Sequence, residues 1–383
     1  MAIKGKIIRT STVPESLNDF CIGLLKELKD DGYEVVGVSS PGPELDALAA
    51  REGVRTVAVP MERHISPWRD LCSLIRLIRV FHREKPEMVH SITPKAGLLS
   101  MVAAWVCRVP VRLHTFTGLV FPTATGITQC ILILTDRITC SCATHITPEG
   151  QGVRNDLISY HITRKPLRVL GHGNIRGLDM NEFDRTPAVL AEAEKIRRND
   201  LFTFVFVGRL VRDKGINELV EAFERLNRDF PATRLILVGH QEPELDPLEP
   251  ETLAKIEHNK NIEAVGLQSD VRPWLAASDA FVFPSYREGF PNVVIEAGAM
   301  GLPSIVTDIN GSREIIIEGK NGTIIPPRDT DALFDAMRCW VGNPAAIVPM
   351  AAAARSLITS RFSRPYVYSC QRQFYKELLK NRS

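Results

Sequence analysis

Long apolar runs are missing from this 383-residue chain. A membrane-spanning helix needs roughly 18 or more consecutive apolar residues. The best candidate, 127–146, is interrupted by Asp136 and Arg137, so no span is expected. No apolar signal-peptide core follows Met1, and a cytoplasmic location is expected. Cysteine is present but unpatterned. Cys21, Cys72, Cys107, Cys130, Cys140, Cys142, Cys339 and Cys370 never fall at metal-ligand spacing, Cys140 and Cys142 being separated by one residue. All eight therefore read as reduced packing thiols, with no metal site. The Gly-x-Gly-x-x-Gly turn of a dinucleotide-binding dehydrogenase is absent after the first strand-like run, at 10–17.

What is present is a folded, mixed chain. Apolar residues make up 44% and charged residues 24%, and no segment is low in complexity, so two ordinary domains with a core each are expected. The charge is uneven. Residues 1–178 hold 22 Lys and Arg against 16 Asp and Glu, whereas 179–383 hold 25 against 29. A basic first half fits an anionic partner, such as a lipid diphosphate or an acidic membrane surface; a solvated basic face is the alternative, and no nucleic-acid partner is expected.

Apolar runs alternate with helix-period segments throughout. Strands are expected at 6–9, 33–39, 55–59, 88–91 and 111–115, then at 202–207, 234–238, 262–265, 280–283, 304–307 and 322–325. Helices are expected between them, among them 17–31, 68–84, 217–229, 271–277, 291–301 and 329–341. This alternation predicts α/β architecture with two Rossmann-like, doubly wound parallel-sheet domains facing across a cleft. The boundaries expected are 1–183 for the first domain and 184–364 for the second. The charged segment 185–200 bridges them, and the helix at 365–383 crosses back to the first. The segment 68–83 is a basic amphipathic helix. Its stripe Trp68, Leu71, Leu74, Ile75, Ile78 and Phe81 is expected to face the core. The alternative is shallow contact with anionic lipid, Arg69, Arg76, Arg79 and Arg83 meeting head groups.

Chemistry concentrates in the second half. In Phe281-Val-Phe-Pro-Ser-Tyr-Arg-Glu-Gly-Phe-Pro-Asn-Val-Val-Ile-Glu296 a buried strand runs into a loop and then a helix, with Pro291 expected as first helical residue. The amides of Asn292, Val293 and Val294 would then be open donors at the positive end of the helix, suited to a diphosphate. Glu288 and Glu296 are too far apart to touch one atom but can grip opposite ends of an extended nucleotide sugar. Unrelated loop and helix-surface carboxylates are the bland reading. In Val207-Gly-Arg-Leu-Val-Arg-Asp-Lys-Gly215, Gly208 permits close backbone approach, while Arg209 and Lys214 bring two cations to the end of a strand.

The ordered motifs Gly-Arg-Leu-x-x-x-Lys-Gly, Glu-Gly-Phe-x-x-x-x-x-Glu and Asn310-Gly-x-x-Glu314-Ile resemble glycosyltransferase family 4, retaining enzymes of GT-B architecture. The resemblance implies that Arg209 and Lys214 bind the donor diphosphate, Glu288 contacts the transferred sugar and Glu296 holds the ribose. Asn310 and Gly311 stand where the family often has two glycines near the donor. Asn174, Gly177 and Asp179 resemble its interdomain Asn-Gly-x-Asp element, with Ile175 and Arg176 inserted. In the first half, 90–99 and 112–118 resemble the branch that builds bacterial surface polysaccharides. Thr117 stands before Gly118 where many members carry His; His114 is a separate candidate, with strand packing as its alternative, and Lys95 is a candidate for an acceptor phosphate. The implied reaction moves a hexose or N-acetylhexosamine from a nucleotide sugar, a UDP-sugar by expectation, to a polyprenyl-diphosphate-linked saccharide. The departing diphosphate takes the acceptor's proton. No Asp-x-Asp clamp accompanies these motifs, so no metal or other cofactor is expected. A UDP-sugar 2-epimerase of the same architecture and a non-catalytic sugar-nucleotide-binding protein are the alternatives.

Overall fold

The structure, a computed structural model, describes residues 4–62, 64 and 66–380. The chain forms two compact units, one ending at Gly177 and taking back the residues from Pro365 onward, the other Leu178–Arg364.

The first unit runs β1 (Lys6–Thr10), α1 (Pro14–Phe20), α2 (Leu24–Asp30), β2 (Glu34–Ser39), α3 (Pro43–Glu52), β3 (Arg55–Ala58) and α4 (Pro67–Glu84). It continues with β4 (Met88–Ile92), α5 (Pro94–Val106), β5 (Val111–Phe116), α6 (Gly126–Cys142), β6 (His145–Pro148) and α7 (Gln151–Ser159). Its sheet is parallel, in the order β3-β2-β1-β4-β5-β6. Proline at the first position opens α1, α3, α4 and α5, where its missing N–H costs nothing. The single helix expected at 17–31 is two helices, because Gly23 adopts φ +81° ahead of α2. Strand β6 went unseen in the sequence, being four residues long with His145 in front and Pro148 behind.

The second unit runs α8 (Pro187–Ile196), β7 (Phe202–Val207), α9 (Ile216–Asp229), β8 (Thr233–Val238), α10 (Pro250–His258), β9 (Ile262–Gly266) and α11 (Arg272–Ala276). Then follow β10 (Ala280–Phe283), α12 (Asn292–Ala299), β11 (Ser304–Thr307), α13 (Ser312–Ile315), β12 (Gly322–Ile325), α14 (Thr330–Gly342) and α15 (Val348–Phe362). Its parallel sheet is ordered β12-β11-β10-β7-β8-β9. The charged segment around 185–200 is not a bridge between domains. It folds as α8, burying Val189 and Ala193 in the second unit's core. The boundary accordingly falls at Gly177 rather than 183, where Leu178 pairs with Ser363 inside the second unit.

The last helix, α16 (Arg364–Lys380), packs on the first sheet. Side chains alternate across that sheet. Ile7, Met88 and Leu113 face a core shared with Leu17, Leu24, Tyr368 and Tyr375, while Ile8, Val89 and Ala96 belong to the core under α4, α5 and α6. A polar row crosses the α16 side. Fully buried Arg9 donates to the Tyr375 hydroxyl and meets the His90 ring, whose Nε2 lies 2.7 Å from Thr115 Oγ1.

Two buried histidines make stability pH-dependent. Burial, with Arg9 beside it, holds His90 well below its usual value, and burial pushes His114 down to about 3. Each stays neutral in the folded chain but takes a proton in the unfolded chain below about pH 6.5, so stability is full above that value and is lost as pH falls. Half-buried Asp136, raised to about 7 by desolvation, titrates in the opposite sense and offsets part of the loss. We expect His114→Asn to remove its share, about 1.4 kcal/mol per pH unit between about pH 6.5 and 5. Urea midpoints of the two proteins across that window check it; parallel pH profiles would contradict it.

Candidate active site

Open parallel sheets bind ligands where neighbouring strands send their chains in opposite directions. In the second sheet that point lies between β7 and β10, since β7 leads outward to β8 and β9 while β10 leads to β11 and β12. The loops leaving β7 and β10 therefore start side by side, and they are 208–215 and 284–291, the two segments singled out by sequence.

The loops touch backbone to backbone. Gly215 sits at φ +72°, and a Cβ there would lie 2.1 Å from the carbonyl oxygen of Pro284. The Tyr286 amide donates to the Asp213 carbonyl at 2.9 Å, and Arg287 Nε donates to the Asp213 carboxylate at 3.0 Å. This lock brings Lys214 against Glu288: the ammonium donates to Oε1, which also accepts from buried Ser285 Oγ at 3.0 Å. Lys214 lies 5.5 Å from the Phe283 ring centre. Both partners of the pair are largely buried, 16% and 17% exposed.

Helix α12 begins one residue later than expected. Pro291 is the N-cap rather than the first helical residue, with ψ 104°. Its carbonyl accepts from the Val294 amide at 3.2 Å, so Val294 is not an open donor. The first-turn amide left at that end is that of Val293. Glu296 consequently sits four residues in, about 6 Å along the axis. It is buried rather than turned to bulk water.

A third loop, after β11, closes against this one. Thr307 Oγ1 donates to the Ser285 carbonyl. Gly311 lies at φ +73°, where a Cβ would come within 2.6–2.8 Å of Pro291 Cδ, Phe290 Cα and the Gly289 carbonyl. Asn310 accepts from the Ser312 amide through its carbonyl at 2.9 Å, and Glu314 returns to the Gly311 amide at 3.3 Å.

Arg209 stands apart from Lys214. Half exposed, it donates to Glu242 at 2.5 Å, holding that carboxyl below its ordinary value, and Glu242 also lies 3.5 Å from His240. Gly208 donates its amide to Val238 at 3.0 Å. Sequence reasoning missed Asp213, Ser285 and Glu242. The first two lay inside the quoted motifs, but only the β7–β10 adjacency shows what they tie together. Among the described residues no group of three His, Cys, Asp or Glu is arranged for a metal. One Asp-x-Asp does occur, at 329–331, correcting the expectation that none accompanies the chain's chemistry. Asp329 caps the Ala332 amide at 2.8 Å and Asp331 pairs with Arg225 at 2.6 Å, so both serve the start of α14.

In the first sheet the chain reverses between β1 and β4. Thr12 and Thr93 join the two loops through their hydroxyls at 2.9 Å, and the Ala96 amide donates to Thr12 Oγ1 at 3.1 Å. Lys95 is not an open cation there. Its ammonium is bound by Asp70 at 2.8 and 3.1 Å and by the His64 carbonyl, tying α5 to α4. His114 is a core residue: its Nδ1 lies 2.8 Å from Ser91 Oγ, and its ring packs edge-on against Phe116. Thr117 and Gly118 follow β5 at the same rim and are half-buried. Asn174 Oδ1 accepts from the amides of Arg176 and Gly177 at 3.0 and 2.6 Å, shaping the segment that ends the first unit.

Family models match both units. Residues 202–343 match the group 1 glycosyl transferases, and residues 21–173 match a glycosyl transferase 4-like domain. The capsular polysaccharide biosynthesis glycosyltransferase CapM of Staphylococcus aureus is 30% identical over 98% of both chains. The chain belongs to the glycosyltransferases. Among further relatives of this glycosyltransferase, an Escherichia coli UDP-Gal:α-D-GlcNAc-diphosphoundecaprenol α-1,3-galactosyltransferase is 29% identical over 77% of this chain and 76% of its own. HepE of Anabaena, solved with UDP and glucose, superposes with a TM-score of 0.79 over 98% of this chain and 99% of its own, at 18% identity, and shares its fold.

The contact at Gly311 gives a direct test. Gly311→Ala places a methyl group where backbone already stands, in a conformation costing about 1–2 kcal/mol for an L residue before any clash. We expect Gly311→Ala to lower stability by at least that amount, read as a lower urea midpoint. An unchanged midpoint would mean that the β11 loop does not close against the β10 loop as described.

Proposed function

We propose that this glycosyltransferase is a retaining enzyme that moves a hexose or N-acetylhexosamine from a UDP-sugar to a saccharide carried on a polyprenyl diphosphate, in the synthesis of a capsule or lipopolysaccharide. The observation that carries the donor half is the meeting of Lys214, Glu288 and the α12 N-terminus at the switch point of the second sheet. A cation and a helix N-terminus together form a diphosphate cradle, and a carboxylate beside it suits sugar hydroxyls. The acceptor half is supported by the undecaprenol-linked substrate named for the E. coli relative.

In this reading the pyrophosphate lies on Lys214 and the Val293 amide, and Arg209 swings from Glu242 to its outer phosphate. Glu288 accepts from sugar hydroxyls, and Glu296 holds the ribose. Asn310 and Gly311 border the sugar, and Thr117 and Gly118 face the acceptor. The bond between the anomeric carbon and the diphosphate oxygen breaks as the acceptor oxygen bonds to that carbon from the same face. The acceptor's proton passes to the departing diphosphate. Negative charge grows on the diphosphate in the transition state, so groups that neutralise it there accelerate the step. Lys214 and Arg209 supply that charge without a metal ion, and the enzyme works peripherally at the cytoplasmic membrane.

Radiolabelled UDP-sugars incubated with protein and extracted lipid test the whole. Lipid-extractable label, undiminished by EDTA, is expected; a donor epimerised without acceptor, or no transfer across the donor panel, overturns the reading. Lys214→Gln should lower kcat by about 100–1,000-fold, about 2.7–4 kcal/mol, while lowering UDP affinity less. Equal losses in both would show that Lys214 binds donor and transition state alike.

A further inference from the structure

Large exposed apolar side chains crowd one side of the first unit. Helix α6 carries Ile127, Ile131, Leu134 and Ile138 in the open, Ile127 being 80% and Leu134 57% exposed. Their spacing of four, three and four residues puts them in one straight stripe. The buried side of α6 is opposite, at Thr139 and Cys140. Asp136, the helix's only acid, is half-buried, and Arg137 is exposed. The core therefore uses one side of α6 and leaves the more apolar side unpartnered.

Helix α4 corrects the expectation for its stripe in the same direction. Leu74, Ile78 and Phe81 do pack on the core, but Trp68, Leu71 and Ile75 stand exposed, Trp68 at 76%. Arg76, Arg79 and Arg83 are exposed beside them and form no ion pair among the described residues. Helix α5 lies between α4 and α6 on the same face of the sheet and is mostly buried, so the two outward faces are about 16–20 Å apart at ordinary helix spacing. All three helices begin where the chain leaves the carboxyl ends of β3, β4 and β5. The first turns of α4 and α6 thus flank the rim that holds Thr12, Thr93, Thr117 and Gly118.

We propose that this face, the α6 stripe together with the outer side of α4, docks the protein on an anionic phospholipid bilayer, α6 entering the apolar boundary and the α4 arginines meeting head groups. Charge decides the occupant. An apolar stripe flanked by unpaired arginines, on the half of the chain with the basic excess, matches a negatively charged lipid surface, and a tryptophan suits the headgroup level. No helix among the described residues is long and apolar enough to cross a membrane, so attachment through this face lies in the plane of the surface. The proposal deepens the reading above, on which it rests for the lipid-borne acceptor. Docking by these helices brings the rim to the height at which a saccharide on a polyprenyl diphosphate leaves the bilayer.

Flotation of the full-length protein with phosphatidylglycerol–phosphatidylethanolamine vesicles tests it, with phosphatidylcholine vesicles as control. Wild type should float with the anionic vesicles. Ile131→Asp with Leu134→Asp should weaken binding by at least about tenfold at low and high salt, since each buried aliphatic side chain is worth about that much. Arg76→Gln with Arg79→Gln should weaken it at low salt and little at high salt. These positions are exposed; an unchanged circular dichroism spectrum and thermal midpoint in each variant show the first unit folded, and unchanged calorimetric UDP affinity shows the donor site in the second unit intact. Failure of UDP to bind even the wild type would count against the transferase reading instead. Wild-type protein that ignores anionic vesicles, or an α6 variant that floats like wild type, overturns the proposal. A wild type that sizes as a dimer, made monomeric by the α6 variant, overturns it as well and assigns the stripe to a second copy.

Discussion

A backbone contact that only glycine permits underlies the second unit. Gly215, at the end of the turn after β7, lies against the Pro284 carbonyl at the start of the loop after β10. Adjacent parallel strands put the two loops side by side, and this contact fixes their register. Hydrogen bonds from Tyr286 and Arg287 to Asp213 then hold it. Lys214 and Glu288 face each other as a result, 74 residues apart in sequence.

That arrangement explains why a lysine–glutamate pair sits at the centre of a site proposed for an anion. A largely buried pair costs less to keep than either charge buried alone, because each partner offsets the other's desolvation. In the proposed reaction a bound pyrophosphate and sugar take over the two charges, and until then each side chain holds the other in place. The loop after β11 adds a third wall through Gly311, and the amide end of α12 points the helix dipole the same way.

The fold was readable because buried parallel strands are short apolar runs punctuated by proline-started helices; β7, β10, β11 and β12 fall where the sequence placed them. The exceptions follow from local chemistry. Gly23 splits one helix, β6 is too short and too polar to signal itself, and α8 disguised two core residues among charges. Of the donor-side candidates, Lys214 meets Glu288 and Gly311 meets Pro291 because loops after adjacent strands lie side by side, whereas Arg209 stands apart on Glu242. The first unit was harder. Nothing in the spacing of Lys95 reveals Asp70 as its partner, and nothing in the run 112–118 shows His114 turned into the core. Likewise an amphipathic stripe reads the same whether it meets a core or a membrane, and α4 divides its own between burial and exposure.

A structure with UDP bound tests most directly whether one pyrophosphate is gripped where the β7 and β10 loops meet. The β-phosphate is expected within hydrogen-bond reach of Lys214 Nζ and the Val293 amide, with Glu296 on the ribose. UDP bound elsewhere, with Lys214 still closed on Glu288, would contradict it.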